Sequence, residues 1–137
     1  MILQHVQVRK TDTLLDVGCG TGIATVLFPC EKVGIDPSAE LLKQASFKTI
    51  VGRAESLPFP DNSFDIVICM TAIHHCEVDK ALAEIKRVAK RDVVVTVLKK
   101  ARNSGDIVKK IERLFNVTKI INEEKDYILV CTPFRNT

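Results

Sequence analysis

The fold of this chain is decided by the stretch Leu14-Leu15-Asp16-Val17-Gly18-Cys19-Gly20-Thr21-Gly22. Its apolar residues around one acid predict a buried strand, and three glycines follow at alternate positions. The residues from Thr21 to Phe28 then predict a first helix. A strand, a glycine turn and a helix form the opening unit of a nucleotide-binding α/β sheet, because glycine adopts positive φ and lets a ligand approach the backbone closely.

The glycine spacing distinguishes between two classes of nucleotide ligand. A dinucleotide fingerprint, G-x-G-x-x-G, would need a third glycine at position 23, where this chain has Ile23. Asp16 lies just before the loop, where its carboxylate would repel a pyrophosphate and attract a cation. S-adenosylmethionine carries an ammonium and a sulfonium and no phosphate, so the loop favours it. An ordinary strand-to-helix turn and a nicotinamide-dependent oxidoreductase remain as alternatives.

A second acid follows at a spacing typical of nucleotide sites. Lys32–Asp36 predicts a short strand that ends in an acid, 18 residues after Gly18. A carboxylate about 20 residues beyond the first glycine binds the ribose hydroxyls in such folds. The structural alternative for Asp36 is capping of the next helix, because side-chain oxygens are favoured at helix starts.

Four ordered motifs then identify a family. They are LLDVGCGTG at 14–22, VGIDPS at 33–38, GRAESLPFPDNSFDIVICMTAIHH at 52–75 and ALAEIKRVAK at 81–90. With them the chain resembles class I S-adenosylmethionine-dependent methyltransferases of the small type 11 family, from about Thr13 to Val97. Beyond Leu98 the resemblance is to the fold alone. It implies a single S-adenosylmethionine-binding methyltransferase domain over residues 1–137, a minimal-core member of the family.

The resemblance also implies which residues bind the cofactor, S-adenosyl-L-methionine, and its product S-adenosyl-L-homocysteine. The glycine loop would wrap the methionine part, Asp16 would face the ammonium, and Asp36 would bind the ribose. Ala54 and Glu55 would lie against adenine, and Met70 would border the methionine end. The full implied set is Asp16, Gly18, Cys19, Gly20, Thr21, Asp36, Pro37, Arg53, Ala54, Glu55 and Met70.

Two positions depart from the family pattern. Arg53 stands where the family often has an aspartate that contacts the adenine amino group. A guanidinium only donates hydrogen bonds, so we expect it to stack on the ring, with the adenine contact moved to Glu55 and the Ala54 backbone or with reduced cofactor affinity. Lys90-Arg91-Asp92 replaces a proline-glycine-glycine turn whose role in the family is structural.

The rest of the chain predicts alternating strands and helices. Ser38 and Ser104 are expected to cap helices, and Asp79 to open one, because each precedes apolar residues at helical spacing. Further strands are predicted at Thr49–Val51, Phe64–Met70, Asp92–Leu98, Val117–Ile121 and Tyr127–Thr132. The resemblance implies an α/β, Rossmann-like methyltransferase fold. Its mainly parallel seven-stranded sheet has the order 3-2-1-4-5-7-6, the last strand antiparallel and helices on both faces.

Candidate catalytic residues follow the fourth strand. Methyl transfer from a sulfonium is an in-line displacement, so most of the catalysis can come from placing the nucleophile behind the methyl group. His74 and His75 have suitable pKa values to act as a base if the acceptor must lose a proton. Closure of the strand-to-helix loop is the structural alternative for both histidines. Cys76 has no partner cysteine, so a thiol acceptor or redox role is not favoured.

Composition limits the class of protein. Apolar residues make up 46% and charged residues 27% of the chain, as in soluble globular proteins. The five cysteines form no C-x-x-C pair, so we predict neither a metal site nor a disulfide framework. No apolar run is long enough to span a membrane, and the N-terminus lacks the layout of a signal peptide. We therefore expect a reduced, cytoplasmic protein.

The formal net charge of +3 is unevenly distributed. Residues 1–79 carry 6 basic and 10 acidic side chains, whereas residues 80–137 carry 14 and 7. A basic half can attract an acidic partner such as RNA. Solvation of helix faces is the simpler interpretation, because no aromatic platform accompanies the basic residues.

The methyl acceptor itself has no sequence signal, and RNA, protein and small molecules all remain possible. Family members usually carry one or two helices before the first strand, where this sequence has only Met1–Asp12. We expect an open acceptor site that an activator protein or a second copy completes. The His74-His75 stretch also resembles that of tRNA wobble-uridine methyltransferases, which work with a small zinc-ribbon activator. A non-catalytic binding module with a methyltransferase fold is the alternative function.

Overall fold

A single seven-stranded sheet organises the computed structural model, which describes residues 4–134. The outer three residues at each end of the predicted domain 1–137 lie outside the described residues. The strands are β1 (Thr13–Val17), β2 (Glu31–Asp36), β3 (Lys48–Val51), β4 (Phe64–Cys69), β5 (Ala89–Leu98), β6 (Phe115–Asn122) and β7 (Asp126–Pro133). Their order is β3-β2-β1-β4-β5-β7-β6, with β7 antiparallel to both of its neighbours. The predicted sheet is confirmed.

Alternate residues of the central strands separate two hydrophobic cores, as the period of two in a strand requires. One face presents Leu15, Val67, Val93 and Leu129 to the helices α2 (Val78–Val88) and α3 (Ser104–Leu114). The other face presents a second apolar set: Leu14, Ile66, Ile68, Val94, Ile128 and Val130. Val6, Phe28 and Cys30 pack on that second face. Residues 66–69 of β4 and 93–97 of β5 are all buried, as is typical of strands covered on both faces of a sheet.

The first helix predicted at Thr21–Phe28 is wrong. These residues form loops around one 3₁₀ turn, Thr25–Leu27. Only six residues separate Gly22 from Pro29, and the residue before a proline is pushed toward an extended conformation. Three of those six are β-branched, which lowers helix propensity. The side chains of Ile23 and Leu27 are therefore 78% and 58% exposed instead of packing on the sheet.

The other predicted elements are confirmed with shifted bounds. The helix α1 is a single turn, Ala39–Leu42, and the Ser38 side chain accepts a hydrogen bond from the Leu41 amide at 3.2 Å, as predicted. The other two helices each begin one residue earlier than predicted, as is common at helix ends. Helix α2 begins at Val78, with Asp79 inside its first turn. Helix α3 begins at Ser104 itself, whose hydroxyl donates to the Lys99 carbonyl.

Arg91 stabilises the start of β5 where the family has its glycine-rich turn. Helix α2 passes directly into β5 without a connecting loop. The Arg91 guanidinium donates to both carboxylate oxygens of Asp12, at 3.0 and 2.8 Å, and to the Gln7 carbonyl. This arginine therefore links the segment that precedes β1 to β5, two strands away in the sheet. No helix among the described residues is long and apolar enough to cross a membrane.

Candidate functional site

The glycine loop lies at the carboxyl end of β1, beside the loop that follows β4. Strands β2 and β4 flank β1 in the sheet, so the strand order reverses at this point, where open α/β sheets bind ligands. A Cβ atom on Gly18 would lie 2.6 Å from the Ala72 Cβ, and Gly18 has a φ of +76°. Only glycine fits there, because the two loops are in contact and the backbone is left-handed.

Two clefts flank this contact, and Gly18 lines both. The Arg53 cleft, of about 240 Å³, is lined by Gly18, Pro37, Arg53, Ala54, Glu55 and His75 among others. The Asp16 cleft, of about 440 Å³, contains Asp16, Gly18, Cys19, Thr21 and Met70, together with Ile23, Ala24, Thr71, Thr96, Asp126 and Ile128. Three predicted site residues line neither cleft: Gly20, Asp36 and His74.

Asp16 is the most buried acid of the site, with only 2% of its surface exposed. One carboxylate oxygen accepts a hydrogen bond from the Thr25 hydroxyl, whereas Oδ1 is buried without a partner. Burial raises the pKa of Asp16 from 3.8 to about 7, although the Thr25 hydroxyl acts in the opposite direction. A buried acceptor without a donor is costly, so this oxygen is suited to a cationic ligand group in the Asp16 cleft.

Asp36 supports the glycine loop from the end of β2. Its Oδ2 accepts a hydrogen bond from the Gly20 amide at 3.0 Å, and its Oδ1 accepts one from the Ser38 amide at 2.9 Å. The same carboxylate therefore holds the glycine loop and the turn that leads into α1. Each carboxylate oxygen has a second lone pair, which leaves capacity for ribose hydroxyls. The alternative of helix capping is wrong, because the cap of α1 is Ser38 and Asp36 accepts only from the Ser38 amide before that helix. Ribose binding stays a prediction.

Arg53 and Glu55 form the outer wall of the Arg53 cleft. The Arg53 Nε lies 4.0 Å from Glu55 Oε1, and the Arg53 side chain is largely exposed. Glu55 Oε2 accepts a hydrogen bond from the Glu77 amide at 3.0 Å, and this bond is the main cause of the lowered pKa of Glu55. Glu55 is therefore ionised at neutral pH and held in place by the start of α2. Arg53 keeps most of its donors free for a ligand.

Thr71 has a strained backbone at the point where β4 enters the site. Its φ is +52°, which is rare for a β-branched residue. The Thr71 amide donates to the Thr96 hydroxyl oxygen at 2.7 Å, and the Thr71 hydroxyl donates to the Met70 carbonyl at 2.8 Å. Such strain persists only where surrounding contacts determine the conformation, and it is most common at functional sites.

The two histidines face different surroundings, although their ring centroids lie only 4.0 Å apart. His75 is exposed and lines the Arg53 cleft. His74 has a buried Nδ1 without a hydrogen-bond partner, and burial lowers its pKa, so its imidazole is neutral at pH 7. Burial also raises the pKa of Cys76 and keeps that thiol protonated. The two histidines are adjacent in sequence, but only His75 lines a cleft, and His74 has a buried ring nitrogen.

Several residues of the site had no sequence signal. Thr25 is singled out by its hydrogen bond to Asp16, and Thr96 by its bond to Thr71. Asp126 joins them because the antiparallel register of β7 brings its first residue to the carboxyl end of β5. Only a correct pairing of β5 with β7 would have placed Thr96 and Asp126 in this cleft.

Comparisons with known proteins agree with this architecture. A family model described as a methyltransferase domain matches residues 15–97. The uncharacterized methyltransferase YcgJ of Bacillus subtilis is 36% identical over 106 residues, which cover 67% of this chain and 42% of that protein. The chain spans between 36% and 54% of the length of four curated relatives that match.

Two solved structures share the fold at low sequence identity. The PH0226 protein from Pyrococcus horikoshii OT3 has a TM-score of 0.85 at 18% identity, with 97% of this chain and 86% of that chain covered. A methyltransferase chain in complex with the Haloferax volcanii Trm112 methyltransferase activator has a TM-score of 0.79 at 17% identity, with 96% and 86% covered. With the matched motifs, the sheet order and the relatives at higher identity, this chain belongs to the class I S-adenosylmethionine-dependent methyltransferase family.

Proposed function

We propose that this chain binds S-adenosyl-L-methionine across the two clefts and transfers its methyl group to an acceptor. The observation that carries this proposal is the unpartnered Oδ1 of Asp16, which is buried in a cleft lined by no lysine, arginine or histidine among the described residues. An ammonium group would satisfy this oxygen and keep the carboxylate ionised. A pyrophosphate would meet a carboxylate instead of a cation, which disfavours a nicotinamide cofactor.

The residues present fit this cofactor at each end. We assign the ammonium to Asp16 and the methionine chain to the backbone of Gly18, Cys19, Gly20 and Thr21, with Met70 at its far end. We assign the ribose to Asp36 beside Pro37, and the adenine to the Arg53 cleft with Ala54 and Glu55. Arg53 stacks on the ring in this proposal. Gly18 lines both clefts, so in this proposal the ligand lies along the Gly18 backbone.

The bound cofactor supplies an activated methyl group, and the chain supplies position and electrostatics. The loop after β4 is held by Thr71 and Thr96, so the nucleophile would approach along a fixed direction. His74 is neutral at pH 7 but lines neither cleft, and His75 lies on the adenine side in this assignment. A general base must be within hydrogen-bond reach of the proton that it removes, so we assign the transfer to positioning and assign neither histidine as a base.

Asp36→Ala tests the cofactor site. Loss of the carboxylate removes the ribose acceptor and the bond to the Gly20 amide, so we expect S-adenosylhomocysteine to bind about tenfold more weakly or worse. Glu112→Ala is the control, because Glu112 is an exposed carboxylate of helix α3 and lines neither cleft. Unchanged affinity in Asp36→Ala, measured by calorimetry, would remove the ribose assignment.

We also propose that an activator protein covers the acceptor side. The exposed Ile23 lines the Asp16 cleft, and the exposed Val26 and Leu27 follow it in the same loop, so this loop presents apolar side chains that a partner could bury. The methyltransferase neighbour solved with the Trm112 activator supports a protein partner for a chain of this fold. Co-purification with the tagged chain tests this idea, with Leu27→Asp as the disrupting variant. A self-associated dimer in light scattering would favour a second copy, and a stable active monomer would contradict both.

We also propose that the protein is located in the cytoplasm. All five cysteines are free, and three of them are buried in the described core. Free thiols are typical of a reducing compartment, which supports a place in the cytoplasm. An RNA acceptor remains compatible with the basic residues 80–137. Weakening of RNA binding with rising salt would support such an acceptor, because phosphate contacts release counterions.

A further inference from the structure

The Asp16 cleft contains a second carboxylate oxygen without a partner. Asp126 Oδ1 is buried and accepts no hydrogen bond within residues 4–134, as is also true of Asp16 Oδ1. Asp126 takes part in no ion pair among these residues. The cofactor proposed above has one ammonium, which accounts for Asp16 alone. A donor from a second ligand, the methyl acceptor, would satisfy the Asp126 oxygen.

The strand register separates the two acids along the sheet as well as across it. Asp16 aligns through Ile68 and Val94 with Val130 of β7, whereas Asp126 pairs with Leu98, four residues further toward the carboxyl end of β5. Asp16 lies on β1, Met70 follows β4, Thr96 lies on β5 and Asp126 begins β7, and these strands are consecutive neighbours. Asp126 shares a face with Ile128 and Val130, as Asp16 does with Leu14. Neighbouring strands are about 4.8 Å apart and residues advance by about 3.3 Å along a strand, so the two acids lie about 14 Å apart across the strands and about 13 Å apart along them. The methionine part of the cofactor would occupy the Asp16 end of the cleft and leave the Asp126 end open.

Positive charge is scarce around Asp126. The neighbouring Lys99 ammonium binds the Asn122 side chain and lies 5.0 Å from the centroid of the Tyr127 ring. The remaining lining of the cleft near Asp126 consists of Met70, Thr71, Thr96 and Ile128. Two carboxylates without a counter-cation produce a negative potential, which favours a cationic or donor-rich ligand and repels an anionic one.

We propose that Asp126 is the acceptor-binding carboxylate and that the acceptor is an amine. This inference rests on the proposed function, since it takes the Asp16 end of the cleft for the cofactor. The Asp126 carboxylate accepts an N–H of the amine and orients its lone pair toward the methyl group. Thr96 pairs with Ile128, two residues along from Asp126, and lines the same cleft.

The electron balance of the transfer favours a nitrogen acceptor. The amine lone pair forms the N–CH₃ bond, and the electron pair of the S–CH₃ bond stays on sulfur. The positive charge thus passes from sulfur to nitrogen. An amine that arrives as an ammonium first releases one proton to solvent, because only the neutral amine has a lone pair. Asp126 stabilises that charge where it arrives, which is the form of electrostatic assistance that accelerates a transfer step. A thiolate or carboxylate acceptor would be repelled by the same groups.

His74 offers a competing partner for Asp126. The His74 Nδ1 is also buried and unpartnered, and the Asp126 carboxylate raises the His74 pKa against the larger effect of burial. A hydrogen bond between these two groups would give Asp126 a structural role in place of acceptor binding. Binding and stability measurements distinguish the two roles.

The test uses two analogues of S-adenosylhomocysteine in which a tertiary amine nitrogen replaces sulfur. One carries a 2-aminoethyl arm, which extends an ammonium toward the acceptor side, and the other carries an n-propyl arm of the same size. We expect the wild-type chain to bind the aminoethyl analogue at least about tenfold more tightly, because a hydrogen bond to a charged group contributes about 1.5–3 kcal/mol. This comparison needs no variant.

Asp126→Asn should reduce that preference to about threefold or less and leave the affinity for S-adenosylhomocysteine unchanged. Glu124→Gln is the matched control, because Glu124 is an exposed carboxylate of the same turn, and it should keep the preference. Equal binding of the two analogues by the wild type would overturn the inference. If Asp126→Asn keeps the preference for the aminoethyl analogue, Asp126 does not bind the acceptor. A lowered melting temperature in that variant would then indicate a structural hydrogen bond to His74. Failure of S-adenosylhomocysteine itself to bind would reject the proposed function first.

Discussion

At the scale of single residues, the Asp16 carboxylate links folding to ligand binding. The sequence predicted its preference for a cationic ligand, because a carboxylate just before a glycine loop repels a pyrophosphate. Its bond to Thr25 was not evident, since that bond depends on how the loop of residues 21–28 returns over the sheet. The free chain thus keeps a buried acid whose natural counter-ion would be a ligand.

This buried acid predicts an unusual pH dependence of stability. The Asp16 pKa is about 7 in the folded state and 3.8 when unperturbed, so the folded state binds more protons between these values. The contribution of Asp16 to the free energy of unfolding therefore falls as pH rises from 4 to 7, by about 4 kcal/mol at most. Urea denaturation of the wild type and Asp16→Asn at several pH values isolates this contribution. A difference between them that does not change with pH would contradict it.

Gly18 shows how a single residue controls the contact between two loops. In Gly18→Ala the new Cβ would meet the Ala72 Cβ at 2.6 Å in a left-handed backbone, so we expect a destabilised chain with at least tenfold weaker cofactor binding. Gly105→Ala is the control, because nothing lies within 4 Å of its added Cβ and it lies in helix α3. That variant should gain about 0.5–1 kcal/mol. Thermal melting measures the stability of both variants. Equal changes in melting temperature would contradict the close contact between Gly18 and Ala72.

At the scale of elements, Arg87 connects helix α2 to the loop that forms the Arg53 cleft. Its guanidinium donates to Glu84, to Asp61 and to the carbonyls of Leu57 and Phe59. Glu84 in turn accepts a hydrogen bond from the Leu57 amide at 2.8 Å. This network holds the loop over α2 through one side chain.

Arg87→Ala should therefore destabilise the chain by about 2 kcal/mol and weaken cofactor binding, because several acceptors on the loop lose their donor. Arg113→Ala is the control, since Arg113 is exposed and has a comparable place in the last turn of α3. Chemical denaturation gives the stabilities, and calorimetry gives the affinities. Equal stability of the two variants would show that the network contributes nothing.

Local sequence patterns predicted some elements of the fold and missed others. Strand β4 contains the apolar run Ile66–Cys69, and β5 contains the β-branched run Val93–Val97. Helices α2 and α3 have clear helical spacing, so all four elements were predictable locally. The first helix was not, because short spacing between Gly22 and Pro29 outweighed an apolar composition. Thr96 and Asp126 carry no local signal either, because their meeting depends on the register of β5 with β7.

At the scale of the whole molecule, the sheet order brings every proposed contact to one edge. The carboxyl ends of β1, β2, β4 and β5 meet there, and β7 enters from the opposite direction. The family resemblance predicted this order, which local patterns alone do not encode. The acid-rich first half of the chain forms most of both clefts, while the basic second half contributes Asp126 to the same edge.

The most direct test of the central claim is calorimetric titration of the folded chain with S-adenosylmethionine and S-adenosylhomocysteine. We predict one site per chain with micromolar affinity for both ligands, and a loss of at least about tenfold in Asp16→Asn, which removes the charged partner of the ammonium. Binding of neither ligand by a well-folded chain would contradict the proposed cofactor site and favour a non-catalytic module with this fold.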